Sequence, residues 1–340
     1  MKSMSIASSG VFAACVAVLW ALPADVSAQD RARSNTPAAN KAPAPQRMRW
    51  GDPDLQGLWT NTTTTPLERL QEASDKTVLS EEERLSLAQQ VAERLDQDKP
   101  PARSGTVVAY NEFWYERGTL TNRTSLIIDP PDGKIPPFTA AAQKRWQEQA
   151  DARKEHPADS WLDRSAYDRC ISRGMPGAML PGFYNHNYQI VQAPGYVAIL
   201  VEMIHDTRII PLDGRAHLNG TVRQWLGDPR GHWEGNTLVV ETTNFNDKVF
   251  ERGAATGFGA GMRLIERFTR VDADRLDYEF TVDDPTTFTR PWTVSTPMTR
   301  TDGPLFEYAC HEGNYALRGI LAGARVTERA AEQAAGKRRR

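Results

Sequence analysis

Between residues 181 and 312 apolar and polar side chains alternate in short runs broken by turn chemistry, a period of two that predicts amphipathic β-strands. The runs are 196–210, 236–244, 263–270, 275–283, 291–300 and 305–312. Between them stand Asp213-Gly214, Asp228-Pro229-Arg230-Gly231, Asp272-Ala273-Asp274, Asp284-Pro285 and Asp302-Gly303-Pro304. Many short strands with no helical period between them predict a mainly β protein built as an antiparallel barrel or sandwich.

The period changes ahead of the strands. Ser80-Glu81-Glu82-Glu83 has the form of a capping box, and Leu85, Leu87, Val91 and Leu95 supply the apolar stripe of a helix over about 81–97 that stops at Pro100-Pro101. Residues 124–129 read as a short strand closed by Pro130-Pro131-Asp132-Gly133. A second helix is predicted from near Thr139 to about Glu155, with Trp146 toward the core, and 157–184 shows no period and reads as a long loop. One domain follows: a first barrel strand with a helical and loop elaboration over 50–180, a barrel body over 181–325, and a flexible basic tail over 326–340 that ends in Lys337-Arg338-Arg339-Arg340.

The first 28 residues combine Lys2, an apolar stretch over 11–22 and Val26-Ser27-Ala28, the pattern of a signal peptide cleaved near Ala28. This predicts a periplasmic or secreted protein. The apolar stretch is shorter than the roughly 20 residues a membrane span needs and nothing downstream is longer, so no integral span is expected. Residues 29–49 are poor in large apolar side chains and read as a disordered linker. Without the leader two cysteines remain, Cys170 and Cys310, which in an oxidising compartment predicts a disulfide. Lys plus Arg number 41 and Asp plus Glu 43, a net charge of −2, which gives no overall field to attract nucleic acid.

Candidate chemistry comes from ionisable residues inside apolar strands. On 305–312 one face carries Glu307 and His311; on 196–210 either Glu202 with Asp206, or His205, faces inward, and periodicity alone leaves both open. His186 stands in Tyr184-Asn185-His186-Asn187-Tyr188, a run dense in hydrogen-bonding groups. Tyr110, Trp114, Tyr115 and Arg117 can close over a bound molecule, and Arg173 on the long loop can meet a ligand carboxylate. His186, His205, Glu202, Glu307 and His311 are the expected acid–base set, with Tyr110, Trp114, Tyr115, Arg117, Asn187, Tyr188 and Arg173 as ligand contacts. Arg263, Arg267, Arg270, Arg275, Arg290 and Arg300, beside Glu266, Asp277 and Glu279, read as cross-strand ion pairs on a solvated face. His205-Asp206 and His311-Glu312 offer metal donors, but His-x-His and His-Glu-x-x-His spacings are missing, so neither metal nor cofactor is expected.

Gly57-Leu58-Trp59 resembles the Gly-x-Trp signature that opens lipocalin-like (calycin-like) barrels, where the Trp plugs one end. The longer words 53–59 (PDLQGLW), 232–243 (HWEGNTLVVETT) and 308–315 (YACHEGNY) resemble a family of mostly uncharacterised exported bacterial proteins, over about 50–325. The resemblance implies export, a lipocalin-like barrel and a small apolar or aromatic ligand, and no particular reaction. The expected function is an exported barrel enzyme acting on such a molecule by proton transfer, as isomerase, cyclase or lyase, with His311 or His205 as base and Glu307 or Glu202 as its partner. A periplasmic binding protein for a hydrophobic small molecule is the alternative, and a metal-dependent hydrolase the third.

Overall fold

The computed structural model describes residues 46–73, 76–99, 110–249 and 259–338. The leader, the cleavage site near Ala28 and the linker as far as 45 lie outside the described residues. Residues 46–49 of the expected linker are ordered, because Asp54 N donates to Gln46 O and Arg47 bridges to Pro53.

The protein is mainly antiparallel β. Nine strands follow one another around a nearly closed barrel: β5 (Thr207–Pro211), β4 (Tyr196–Val201), β3 (Asn187–Ala193), β1 (Gly57–Thr60), β10 (Trp292–Arg300), β9 (Arg275–Asp283), β8 (Arg263–Arg270), β7 (Thr237–Thr243) and β6 (Asp228–Glu234). A further short strand, β2 (Ile127–Asp129), pairs with β10. It shares an edge with β1, since β1 takes Thr299 and Arg300 while β2 takes Thr293 and Val294.

The predicted alternation sets the faces of β8, β9 and β10. Leu264, Glu266, Phe268 and Arg270; Leu276, Tyr278, Phe280 and Val282; and Trp292, Val294, Thr296 and Met298 are buried, and their neighbours are not. Two members of the expected solvated charge row therefore point inward. Arg263, Arg267 and Arg290 do pair on the outside, with Glu241, Glu234 and Asp129.

Two predicted strands and one predicted turn change. The 196–210 run is a hairpin, because the chain reverses at 202–206 through left-handed residues, Ile204 (φ 64°) and His205 (φ 50°). Asp228-Pro229-Arg230-Gly231, expected as a turn, opens β6. The 305–312 segment forms no strand: Thr301 N adds one more rung to the β1 ladder by donating to Leu58 O, after which the chain passes the Leu58 side chain at Gly303 and Phe306 N donates to Glu202 in the β4–β5 turn. The chain then enters helix α3 (Tyr315–Arg338), so the expected flexible tail is helical as far as it is described. Helices α1 (Glu81–Leu95) and α2 (Ala140–Glu155) form where expected, α1 with its Ser80–Glu83 capping box, although Leu85 is exposed rather than part of the buried stripe.

β5 and β6 end the strand path and do not pair. Their seam is closed by side chains. Gly231 on β6 faces Ile210 and Leu212, where an added Cβ would lie 2.8 and 2.6 Å from their methyl carbons. Across the interior, Arg208 of β5 reaches Glu266 of β8 with two parallel hydrogen bonds, one of 2.9 Å, and Tyr278 donates to the same carboxylate at 2.8 Å. Both charged side chains are fully buried. Burial and the adjacent Glu266 push the Tyr278 phenol well above its ordinary value, which keeps it a proton donor.

Antiparallel alternation sends successive connections to opposite ends. Short turns at 194–195, 235–236 and 271–274 occupy one end, which is filled by Trp59 beneath the Arg270 guanidinium, 5.5 Å from the ring centre. Arg270 is held there by the carbonyls of Asp54, Asp272 and Ala273. The opposite end receives the described parts of the 61–186 and 244–262 connections together with those at 202–206 and 284–291.

Removing one partner of a buried ion pair strands the other, which costs roughly 3–5 kcal/mol. Arg208→Met should lower the urea-unfolding free energy by about that amount, and Arg208→Met with Glu266→Leu should recover most of the loss. A single variant as stable as the parent protein would show that the seam holds without this pair.

Candidate functional site

The loop-bearing end collects most of the residues that the sequence marks for chemistry. His186 and Asn187 open β3, and the positive φ of Asn185 (54°) turns the chain into the sheet there. The preceding loop brings Tyr167, Cys170, Ser172 and Arg173 to the same place, and the segment beyond the barrel adds Tyr308 and Cys310. The Cys170–Cys310 disulfide, with Cα atoms 5.6 Å apart, joins these two segments.

Three phenols meet beside it. The Tyr167 and Tyr308 hydroxyls are 3.1 Å apart, and burial followed by the Tyr308 contact pushes the Tyr167 pKa up. Burial, then Tyr167 and Tyr308, pushes Tyr184 up as well. Tyr167 and Tyr184 remain neutral donors at physiological pH. Phe183 packs edge-on to Tyr184 at 4.5 Å and Tyr110 does so at 5.8 Å, which lines the phenols with aromatic carbon.

Arg173 stands between the phenols and the barrel. Its guanidinium lies 5.6 Å from the Tyr167 ring centre, and its Nη1 donates to Nε2 of His186 at 3.3 Å. Burial, reinforced by Arg173, lowers the His186 pKa from 6.5 to about 3, so the imidazole is neutral. Gly182 lies directly over this ring; a Cβ there would fall 1.8 Å from Nε2.

Asp206, at the end of the β4–β5 turn, accepts from Ser172 Oγ at 2.9 Å. Burial raises its pKa from 3.8 to about 6 despite that hydrogen bond and the nearby Arg208. Glu202, at the start of the same turn, is buried with both oxygens engaged, by Asn187 Nδ2 at 2.7 Å and Phe306 N at 2.8 Å. Burial and the Glu202 carboxylate raise Glu116, which caps Asn185 N.

The structure thus brings together His186, Asn187, Glu202, Arg173, Tyr110 and the disulfide. His205 and His311 approach one another, with ring centres 6.3 Å apart, but on the exposed rim. Glu307 is exposed as well, so the expected His311–Glu307 pair inside the barrel is not formed; its strand does not exist. Tyr188 is fully buried, with its hydroxyl 3.4 Å from Asn61 and from Ala178 O, and it braces the core instead of facing a ligand. Tyr115 and Arg117 face each other at 4.0 Å, with Arg117 bound to Glu112 and to Leu95 O at the end of α1, while Trp114 is exposed. Reading the sequence by strand faces missed the cluster of Tyr167, Tyr184 and Tyr308, and separately the Asp206–Ser172 contact. All lie in irregular segments, where periodicity carries no information.

Among the described residues no three His, Cys, Asp or Glu side chains are grouped as metal ligands, and no helix is long and apolar enough to cross a membrane. Comparison with family models, with curated proteins and with solved structures gives no match for this chain.

Two expectations follow. Below pH 6.5 unfolded His186 takes up a proton that the folded state refuses until about pH 3, so His186 removes stability as pH falls through that window, by about 4–5 kcal/mol in full. Asp206 acts oppositely, removing about 3 kcal/mol as pH rises from about 4 to 6. Urea unfolding of His186→Asn at pH 4 and 7 should show less acid destabilisation than the parent protein; an unchanged difference would mean the folded imidazole protonates normally. Cysteine replacement has a separate effect: the bridge spans 140 residues, and Cys170→Ala with Cys310→Ala should cost about 4–5 kcal/mol by loop entropy. Denaturant titration under reducing and oxidising conditions checks this, and equal midpoints in the two would contradict it.

Proposed function

We propose that the protein is an enzyme that receives a small apolar or aromatic molecule bearing a carbonyl or hydroxyl oxygen at the loop-bearing end of its barrel, and moves a proton on it. The observation that carries this reading is the pairing of one titrating acceptor with fixed donors. Asp206, with its pKa at about 6, is ionised at neutral pH yet basic enough to accept a proton, while Tyr167 and Tyr184, both pushed up by burial, stay protonated and can donate to an oxygen that gains negative charge. The Phe183 and Tyr110 rings suit an apolar or aromatic body. Isomerase, cyclase and lyase reactions that pass through an enolate or alkoxide use this combination of base and oxyanion donors. Asp206 takes the role of base in place of His311 and His205, which lie on the rim, and of His186, whose pKa of about 3 makes its neutral imidazole a weak proton acceptor.

A binding protein for a hydrophobic small molecule is the second reading. It is favoured by the internal satisfaction of Glu202 and His186, which makes both parts of the frame rather than reactive groups. The Trp59–Arg270 plug supports assignment to the lipocalin-like barrels and, with the sequence words shared with exported bacterial proteins, membership of that group. The disulfide supports a periplasmic or secreted location.

Candidate carbonyl and alkene substrates incubated with the protein should identify turnover whose kcat rises with pH about an apparent pKa near 6. Asp206→Asn should reduce kcat by roughly 100-fold or more and abolish that limb, with folding intact. Ligand binding without turnover, unchanged in Asp206→Asn, would establish the binding reading instead.

A further inference from the structure

A second concavity lies on a different part of the loop-bearing end. The long β5–β6 connection returns beside the segment that follows β7, and the two are locked by Gln224, whose N donates to Asn244 O and whose O accepts from Asn246 N, both at 2.9 Å. Arg223 and Trp225 flank this lock and line a cavity of about 460 Å³ together with Phe245, Asn246, Asp247 and Lys248. Pockets of a few hundred Å³ accept small organic molecules.

The wall chemistry is specific. Phe245 is buried and Trp225 half-buried, so they give the cavity an aromatic side. Arg223 is aimed by backbone rather than by a counter-charge: its Nη1 donates to the carbonyls of Phe245 and Ala260. Among the described residues neither Arg223 nor Lys248 forms an ion pair, and Asn246 Oδ1 fixes the Lys248 turn through its backbone N at 3.1 Å. Two cations against one carboxylate, Asp247, leave the lining with one net positive charge. A guanidinium held in position without a carboxylate is suited to a planar anion, and an indole beside it to a flat ring.

We propose that this cavity is a binding site for small aromatic carboxylates, with the carboxylate at Arg223 and Lys248 and the ring against Trp225 and Phe245. The site does not depend on the proton-transfer chemistry proposed for Asp206. It can hold a product, a second substrate portion or an effector, all sharing the same aromatic-acid chemistry.

The test uses the whole protein with 4-fluorobenzoate and, as the uncharged control, 4-fluorobenzyl alcohol, followed by fluorine NMR line broadening. Saturable broadening by the acid is expected, with at least roughly tenfold weaker binding of the alcohol and of the acid to Arg223→Gln. Lys248→Gln should weaken the acid roughly threefold or more; its side chain holds no part of the fold, so this variant separates lost recognition from lost structure. Asp206→Asn and Tyr167→Phe should bind the acid as the parent protein does. Absence of saturable broadening, or equal binding by the parent and both cation variants, would overturn the proposal. So would loss of binding in Tyr167→Phe with retention in Arg223→Gln, which would put the acid at the phenols.

Discussion

The Arg208–Glu266 pair is the constraint on which the rest of the molecule depends. Without backbone hydrogen bonds between β5 and β6, the barrel has a seam that only side chains can hold. A bidentate bond from β5 to β8 fixes the distance between strands that are not neighbours, and fully buried charges tolerate little displacement. Arg208 is also only two residues from Asp206. The same interaction that closes the barrel therefore anchors the β4–β5 turn, and the carboxylate at its end is buried beside a cation that is itself committed elsewhere. Burial in that turn raises its pKa, and the Ser172 hydrogen bond, His205 and then Arg208 moderate the rise without cancelling it.

Strand alternation supplies the second half of the design. One end of the barrel is closed by tight turns and a Trp–Arg plug, and the β5–β6 connection and the chain beyond Arg300 leave from it. The other end gathers most of the described irregular chain, so phenols, guanidinium and carboxylate from segments far apart in sequence lie there. Rigid strands provide position and irregular loops provide chemical variety.

The sequence was most legible where side chains report directly on a two-sided environment. The bounds of β8 and β9 are those that alternation predicts, and α1 begins at its capping box because Ser80 and Glu83 satisfy backbone groups locally. Errors arose where tertiary context overrides local pattern. Alternation at 305–312 could not disclose that the segment is tied to Glu202 in the β4–β5 turn rather than to a strand edge, and the run through 202–206 looks strand-like although Ile204 and His205 adopt left-handed backbone. Glu266 and Arg270 were assigned to the solvated face because charge is ordinarily outside; burial of each became acceptable only through partners on other segments. The site was half legible for the same reason. His186, Glu202 and Arg173 stood out as residue types, whereas the phenol cluster depends on proximity between residues 167, 184 and 308, which no spacing encodes.

The doubling back of the chain after β10 also orders events in time. All nine strands of the barrel path are complete at Arg300, but Tyr308 and Cys310 are made afterwards and reach the loop-bearing end past the Leu58 side chain of β1. A nascent chain can therefore possess its entire barrel before it possesses a finished site. The last segment acts as a latch added to an assembled frame, and competence for function is acquired later than, and separately from, competence to fold.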